Sequence, residues 1–323
     1  MQLRTPIEAS QAVSRKGISS MNLKYEPLSP HLGVELKDVV LSELYPSDEF
    51  YWRLRQILAD HLVVLIRHQE LSAEQLEGLA GRFGPLMNSR TPSVEAHHVG
   101  GSIKVISNGT DSNGRRFGNG NASAQVWHTD SSAPWEVPSG HVFLYCKKAP
   151  RNPPRTFFMD MRKVYASLPS ELKSKISKLR VIHHHYPREH EVTISEAGPS
   201  YPIEIRKIGP VHPLVRRHLS TQVPMLYLPT RRDSLVVGLT EGESRALLTE
   251  LWRYVEEAPY RCAAALEPND LVLWDNGACV HSREGWSEDE VRVLWHQSAA
   301  GEIPVPYSPE TGTRNESLLP PLS

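Results

Sequence analysis

The feature of the sequence that most restricts its fold is a series of short apolar or alternating runs, each bounded by glycine, proline or asparagine. The chain contains 26 prolines, which suppress long helices because proline lacks the N–H group that a helix interior needs. Runs of this length and spacing are typical of strands in a sandwich or barrel. The runs are residues 103–106, 141–146, 181–184, 225–228, 271–274 and 291–295. The sequence therefore predicts a mainly β fold with a few flanking helices.

The helices are predicted by apolar spacing and by capping signals. After Ser47, apolar residues recur on one face of a helix, and the apolar run at 62–66 predicts a buried strand. The segments SAEQ at 72–75 and TEGE at 240–243 are capping boxes ahead of helical patterns. We expect a helix, a strand and a second helix at the start of the fold, and one long helix later.

Charge and composition exclude several classes of protein. The chain of 323 residues has 36 Lys+Arg and 37 Asp+Glu, a formal net charge of -1, so it lacks the single-sign field that binds nucleic acid or an anionic membrane. We expect neither partner. No apolar run is long enough to span a membrane, and residues 1–20 lack a secretory core. Three widely spaced cysteines suit a reducing compartment, and we expect a cytoplasmic protein.

The domain organisation follows from the same patterns. Residues 1–20 are polar and aperiodic and are predicted to be a flexible tail, residues 21–305 a single domain, and residues 306–323 a C-terminal tail. The sequence leaves open whether Met1 or Met21 is the start and whether the chain forms a homo-oligomer.

The first chemical signal is the pair His128 and Asp130. In an extended strand, side chains two residues apart project from the same face, so this pair can share one ion. An H-x-D pair alone is a weak signal. It gains support from His281, which follows an apolar strand, and from Arg292, 11 positions later.

Two histidines and one carboxylate form the facial triad of non-haem iron(II) oxygenases, which leaves positions open for a bidentate cosubstrate and dioxygen. Arg292 lies in an alternating run, and its guanidinium can bind a carboxylate bidentately. Two alternatives stay open. The same triad binds zinc in a hydrolase or isomerase that activates water, and a catalytically silent β-sandwich would only bind a ligand.

Around these residues the sequence resembles the iron(II)/2-oxoglutarate-dependent dioxygenases related to taurine dioxygenase and 2,4-dichlorophenoxyacetate dioxygenase. The resemblance extends from about Tyr25 to about Gly301. The matching segments are PLSPHLG at 27–33, HLVVLIRHQ at 61–69, RFG at 82–84, WHTDSS at 127–132, DMR at 160–162 with Tyr165, HPLVR at 212–216, PND at 268–270 and WDN at 274–276. So many ordered matches are far more specific than one H-x-D pair.

The resemblance implies a double-stranded β-helix, a cupin-like jelly roll, in which His128, Asp130 and His281 hold iron(II). Arg292 and Thr156 would bind the distal carboxylate of 2-oxoglutarate. The implied enzyme consumes 2-oxoglutarate and dioxygen, releases succinate and carbon dioxide, and oxidises an unactivated C–H bond of a small molecule. Hydroxylation is the default outcome, with desaturation or oxidative cleavage open. Halogenation is disfavoured because halogenating relatives lack the carboxylate that Asp130 supplies.

The substrate is less defined by the resemblance. In the taurine-oxidising branch, a second arginine lies four residues beyond the cosubstrate arginine and binds the sulfonate, whereas this chain has His296. We therefore predict a larger organic acid or amino-acid-derived secondary metabolite, with His296 and Arg90 as candidate substrate residues.

Two further groups of residues are given structural roles. The run 183–185 consists of three histidines, which are interpreted as strand residues with one solvated side because a strand alternates their faces. Trp127, Trp274 and Trp295 are interpreted as packing around the site.

Overall fold

The computed structural model describes residues 21–87, 98–116, 118, 120–131, 137–183 and 206–308. The strands are β1 Tyr25–Pro27, β2 Val34–Leu36, β3 Val63–Ile66, β4 His98–Val99, β5 Ile103–Ser107, β6 Gln125–His128, β7 Ser139–Lys148, β8 Arg155–Asp160, β9 Arg180–Ile182, β10 Val211–Pro213, β11 Val215–Arg217, β12 Pro224–Leu226, β13 Arg261–Ala265, β14 Leu271–Asp275, β15 Cys279–Arg283 and β16 Val293–Ala300. The helices are α1 Leu41–Leu44, α2 Asp48–His61, α3 Ala73–Gly81, α4 Met161–Ser167, α5 Ser170–Ile176 and α6 Glu241–Glu257.

Two sheets carry the fold. Within the described residues, the major sheet has eight strands in the order β1-β2-β3-β14-β7-β16-β5-β4, and the minor sheet has four in the order β13-β8-β15-β6. Neighbouring strands are antiparallel, apart from the parallel pair β2 and β3. The strand order differs from the chain order, as expected of a jelly roll in which connections cross between sheets. The predicted mainly β fold with a jelly-roll core is confirmed.

The major sheet is buried on both faces because its side chains alternate between two cores. On β7, Val142 and Leu144 belong to a core that also contains Phe158 of the minor sheet. Phe143 and Tyr145 point to the opposite face, into a second core that includes apolar residues of α2 and α3. Burial on both faces explains why residues 142–146 of β7 and residues 271–274 of β14 are continuously apolar rather than alternating.

The predicted capping signals are formed. Ser72 and Gln75 exchange the two hydrogen bonds of a capping box at α3, and Thr240 and Glu243 do the same at α6. The Ser47 hydroxyl accepts a hydrogen bond from the N–H of Phe50 and so caps α2. The predicted helices and the strand within 62–66 are confirmed.

The pairing of β15 with its neighbours sets the position of the candidate site. His281 lies opposite His128 of β6 on one side and opposite Phe158 of β8 on the other. Because side chains repeat every two residues, Arg283 lies on the same face of β15 as His281 and pairs with Thr156 of β8. The minor sheet therefore gathers four polar side chains on one face: His128, His281, Arg283 and Thr156.

The remaining expectations concern the domain boundary at residue 305, the N-terminal tail and membrane-spanning segments. Pro306 pairs with Arg216, and the N–H of Tyr307 donates to the carbonyl of Val215, so hydrogen bonding to β11 continues past residue 305. Residues 1–20 and Arg90 lie outside the described residues. No helix in the described ranges combines the length and apolar character needed to cross a bilayer.

Candidate active site

His128, Asp130 and His281 converge at the edge of the minor sheet. Their ligand atoms all lie within 4.8 Å of one another. The His128 Nε2 atom is 3.6 Å from Asp130 Oδ1, and the His281 Nε2 atom is 3.8 Å from Asp130 Oδ2. The two imidazole centroids are 4.1 Å apart. The predicted triad therefore forms a cluster of two nitrogens and a carboxylate, which is the donor set that suits non-haem iron.

The protonation states of the triad fit metal binding. His128 Nδ1 lies 2.8 Å from the carbonyl oxygen of Val126, which can only accept, so Nδ1 donates and Nε2 keeps its lone pair in the neutral ring. Burial and the neighbouring His128 lower the pKa of His281 to about 3, so His281 is neutral at pH 7. Burial raises the pKa of Asp130, but His281, His296 and His128 outweigh burial and hold that pKa below its ordinary range.

Asn276 fixes the backbone of Asp130. The Asn276 side-chain amide donates to the carbonyl of Asp130 at 2.8 Å and accepts from its N–H at 3.1 Å. The same amide donates to the carbonyl of Ser139 at 2.9 Å. Asn276 is fully buried, and its amide satisfies partly buried backbone groups of Asp130 and the buried carbonyl of Ser139. The backbone at Asp130, beyond the end of β6, is thereby tied to the loop after β14.

His296 contacts Asp130 directly. The His296 Nε2 atom lies 3.2 Å from Asp130 Oδ2. His296 sits on β16, opposite Leu144 of β7 and Lys104 of β5. The structure thus brings this predicted substrate residue against a carboxylate of the triad.

Arg292 and Thr156 are buried polar side chains with unused hydrogen-bonding atoms. Arg292 is 3% exposed and Thr156 is 3% exposed. Among the described residues, Arg292 Nε and Nη2 and Thr156 Oγ1 have no hydrogen-bond partner. Burial lowers the pKa of Arg292 to about 10, which still leaves the guanidinium charged at pH 7. A buried charge without a partner is costly, so these atoms fit an anionic ligand such as the 2-oxoglutarate carboxylate.

Arg283 lies beside Arg292 but is already satisfied by the protein. Both guanidinium groups lie near the Trp286 ring, with Cζ atoms 4.4 Å and 5.5 Å from its centroid. Burial and the nearby Arg292 charge lower the pKa of Arg283 to about 10. Arg283 donates to the Gln125 side chain and to the carbonyls of Asn121, Ser123 and Glu284. Of the two cations, Arg292 is therefore the one with donors to spare.

The remaining predicted residues have structural positions. Trp274 is buried, and Trp127 and Trp295 pack against the two cores, as interpreted from the sequence. His183 follows β9 and is also buried, with its ring 4.8 Å from that of Tyr227, so it is not solvated. His184 and His185 lie outside the described residues, as does Arg90.

Sequence reasoning missed two contributors to the site. It treated Asn276 only as part of a matching segment, and it did not single out the Val126 carbonyl, which is a backbone group with no residue-type signal. The asparagine at the end of the predicted strand 271–274 was the available signal, because a buried amide after a strand needs backbone partners.

Comparison with known proteins agrees with this geometry. A family model described as taurine catabolism dioxygenase TauD, TfdA family matches residues 24–297. Pentalenolactone F synthase of Streptomyces arenae is 30% identical over 281 residues, which cover 83% of this chain and 93% of that protein. The (S)-phenoxypropionate/alpha-ketoglutarate-dioxygenase of Sphingobium herbicidovorans is 28% identical over 281 residues, covering 85% of this chain and 94% of that protein.

A solved structure is similar in both fold and sequence. A taurine dioxygenase from Burkholderia xenovorans aligns with a TM-score of 0.69 at 25% identity, covering 89% of this chain and 92% of that chain. These comparisons favour the dioxygenase over the zinc hydrolase and over a silent sandwich. The matched family model spans most of the chain, so the protein belongs to the TauD, TfdA family and is a 2-oxoglutarate-dependent dioxygenase.

Proposed function

We propose that the chain binds one iron(II) through His128, Asp130 and His281 and uses it with 2-oxoglutarate and dioxygen to oxidise a small organic acid. The observation that carries the proposal is the convergence of the three ligand atoms within 4.8 Å. When bound, the iron supplies activation of dioxygen for oxidation of an unactivated C–H bond, with conversion of 2-oxoglutarate to succinate and carbon dioxide.

The residues of the chain would prepare the site in three ways. The Val126 carbonyl orients His128 so that Nε2 faces Asp130. Burial keeps His281 neutral at pH 7 and therefore able to act as a ligand. Asn276 holds the backbone of Asp130, which reduces the entropy lost when the carboxylate binds a cation.

We propose that Arg292 and Thr156 bind the distal carboxylate of 2-oxoglutarate. The support is that both residues are buried and have donors that no other described residue engages in a hydrogen bond. An incoming carboxylate would accept hydrogen bonds from both and neutralise the Arg292 charge. We further propose that residues 21–305 act as one dioxygenase domain, since the family match lies within these bounds.

We propose that the substrate is a carboxylate-bearing organic acid or an amino-acid-derived metabolite larger than taurine. One similar protein is named for (S)-phenoxypropionate and another for pentalenolactone F. His296 stands where the taurine-oxidising branch has a permanent cation, and its Nε2 atom already faces Asp130. A sulfonate would therefore lack its usual partner.

The deciding experiment is an anaerobic titration of the purified protein with iron(II) and then 2-oxoglutarate, followed by visible spectroscopy. We expect one iron per chain and a weak charge-transfer band. His281→Ala should abolish the band because it removes a ligand, while His31→Ala, at an exposed histidine outside the site, should keep it. Tight zinc binding by the wild type with no band at saturating 2-oxoglutarate would contradict the proposal.

A further inference from the structure

His296 lies on β16, and the proposed cosubstrate arginine, Arg292, immediately precedes this strand. Leu294 belongs to the core shared by the two sheets, whereas Trp295, on the opposite face of β16, packs against the other core. The His296 side chain is 15% exposed, and that of Asp130 is 23% exposed. Their contact is thus screened from bulk water on most sides, and it is made inside the site rather than on the surface.

The hydrogen bond between these residues has a defined direction. An ionised carboxylate accepts only, so the His296 Nε2 atom carries the proton and donates to Asp130 Oδ2. The bond leaves Oδ1, which is 3.6 Å from His128 Nε2, without this donor. The two oxygens of the carboxylate are therefore inequivalent before any cation binds.

The backbone of Asp130 is already held by Asn276, so only the two side-chain torsions of Asp130 remain free. A donor at Oδ2 restricts both torsions because this oxygen must stay within hydrogen-bonding distance of His296 Nε2. Hydrogen-bonding partners of ligating groups commonly orient the ligand and contribute to metal affinity.

We infer that His296 is a positioning residue, which donates a hydrogen bond to Asp130 Oδ2 and orients the carboxylate for metal binding. This inference rests on the proposed function, since it assumes that Asp130 is a ligand. In this role His296 acts before substrate binds. The metal affinity of the substrate-free protein distinguishes this role from that of a substrate anchor. A substrate anchor would leave the metal affinity of the substrate-free protein unchanged.

The test measures Mn(II) affinity in the absence of 2-oxoglutarate and substrate, by the electron paramagnetic resonance signal of free Mn(II). His296→Phe keeps a ring of similar size but has no donor, and His296→Gln keeps an N–H near the Nε2 position. We expect His296→Phe to weaken Mn(II) binding about 10- to 100-fold and His296→Gln to restore most of the affinity. His31→Gln, at an exposed histidine outside the site, should match the wild type.

A second measurement does not depend on the folding of any variant. In wild-type protein with ¹⁵N-labelled histidine, loaded with diamagnetic zinc, the nitrogen shifts of His296 should report a proton on Nε2. A proton on Nδ1 alone would overturn the inference.

The outcomes separate the inference from the proposed function. Unchanged Mn(II) affinity in a folded His296→Phe protein overturns the positioning role. If the wild type binds Mn(II) in the same experiment, the proposed metal site at the triad stands. Failure of the wild type to bind Mn(II) overturns both, because Asp130 would then have no metal to ligate.

Discussion

The side-chain amide of Asn276 pairs with the main chain of Asp130 as a neighbouring strand would, by donating to its carbonyl and accepting from its N–H. The two residues are 146 positions apart in the chain. This pair replaces backbone pairing at a point where the chain has left β6 and where Ser131 adopts a left-handed conformation with φ of 52°. The backbone of Asp130, the proposed carboxylate ligand, is therefore held by a side chain from the loop that follows β14 of the major sheet.

Asn276→Ala should destabilise the protein and weaken metal binding together. The substitution leaves partly buried backbone groups of Asp130 and the buried carbonyl of Ser139 without the amide, at a cost of about 1–3 kcal/mol in unfolding free energy. The measurements are urea unfolding of the metal-free protein and Mn(II) titration. Asn113→Ala, at an exposed asparagine, is the matched control. Wild-type stability in Asn276→Ala would show that the amide pairing contributes little.

Arg292→Ala should raise the dissociation constant for 2-oxoglutarate roughly 30- to 5,000-fold, because truncating one partner of a buried charged pair costs about 2–5 kcal/mol. Iron binding should survive, since Arg292 is not a ligand. The readout is the 2-oxoglutarate dependence of the charge-transfer band. Arg253→Ala, at an exposed arginine of α6, is the control. Unchanged affinity would make Arg283 the anchor, despite its protein partners.

Thr156→Val should separate ligand binding from stability. Valine has nearly the shape of threonine, and Thr156 Oγ1 has no hydrogen-bond partner among the described residues, so the free energy of unfolding without ligand should be unchanged or higher. The 2-oxoglutarate affinity should fall about 2- to 12-fold, equivalent to one hydrogen bond of about 0.5–1.5 kcal/mol. A loss of stability without a loss of affinity would contradict a cosubstrate role.

His141 should make the metal-free protein less stable in acid. Burial lowers the pKa of His141 to about 4. Between pH 6.5 and 4, the unfolded chain binds a proton that the folded chain does not, so stability decreases as pH falls through this window. In His141→Phe the loss between pH 7.5 and 5 should be smaller by about 2 kcal/mol. Urea unfolding with a chelator at both pH values measures this, with exposed His31→Phe as control. An equal loss in both proteins would argue against burial of neutral His141.

Taurine should be a poor substrate. An imidazole is not a permanent cation like the guanidinium of arginine, and the Nε2 atom of His296 already contacts Asp130 Oδ2, so His296 should not replace arginine as a sulfonate anchor. The measurement is succinate release with taurine, alkylsulfonates and a panel of aryl carboxylates. Efficient turnover of taurine, coupled to succinate, would refute the proposed substrate class.

Local patterns were sufficient to predict the strands and helices with strong signals. The capping boxes that begin at Ser72 and Thr240 mark helix starts through local hydrogen bonds alone. The short apolar run at 271–274 predicts a buried strand. The C-terminal half of β16 was not predicted. Residues 298–300 are serine and alanines with weak strand preference, and they are extended because they pair with β7.

For the candidate site as well, some features follow from local sequence patterns and others depend on contacts between distant segments. Strand alternation predicted that His128 and Asp130 would converge, and they do, although the structure places Asp130 just beyond the end of β6, where Asn276 holds its backbone. The contact of His296 with Asp130 depends on how β16 lies relative to the minor sheet, and strand periodicity gives the face of a residue but not its partner across a core. The unpartnered state of Arg292 likewise depends on the positions of its neighbours, which no local pattern records.

The pairing of His128 with His281 also bears on when the proposed metal site can be completed. A growing chain presents His128 and Asp130 long before β15 has been synthesised, and two ligands retain a divalent ion far less well than three held in place by a folded sheet. Contacts between such distant segments form late in folding, since closing a long loop costs conformational entropy before the new contacts stabilise the chain. Under the proposed function, metal loading is therefore coupled to completion of the minor sheet, and a chain arrested before β15 would carry only two of the three proposed ligands.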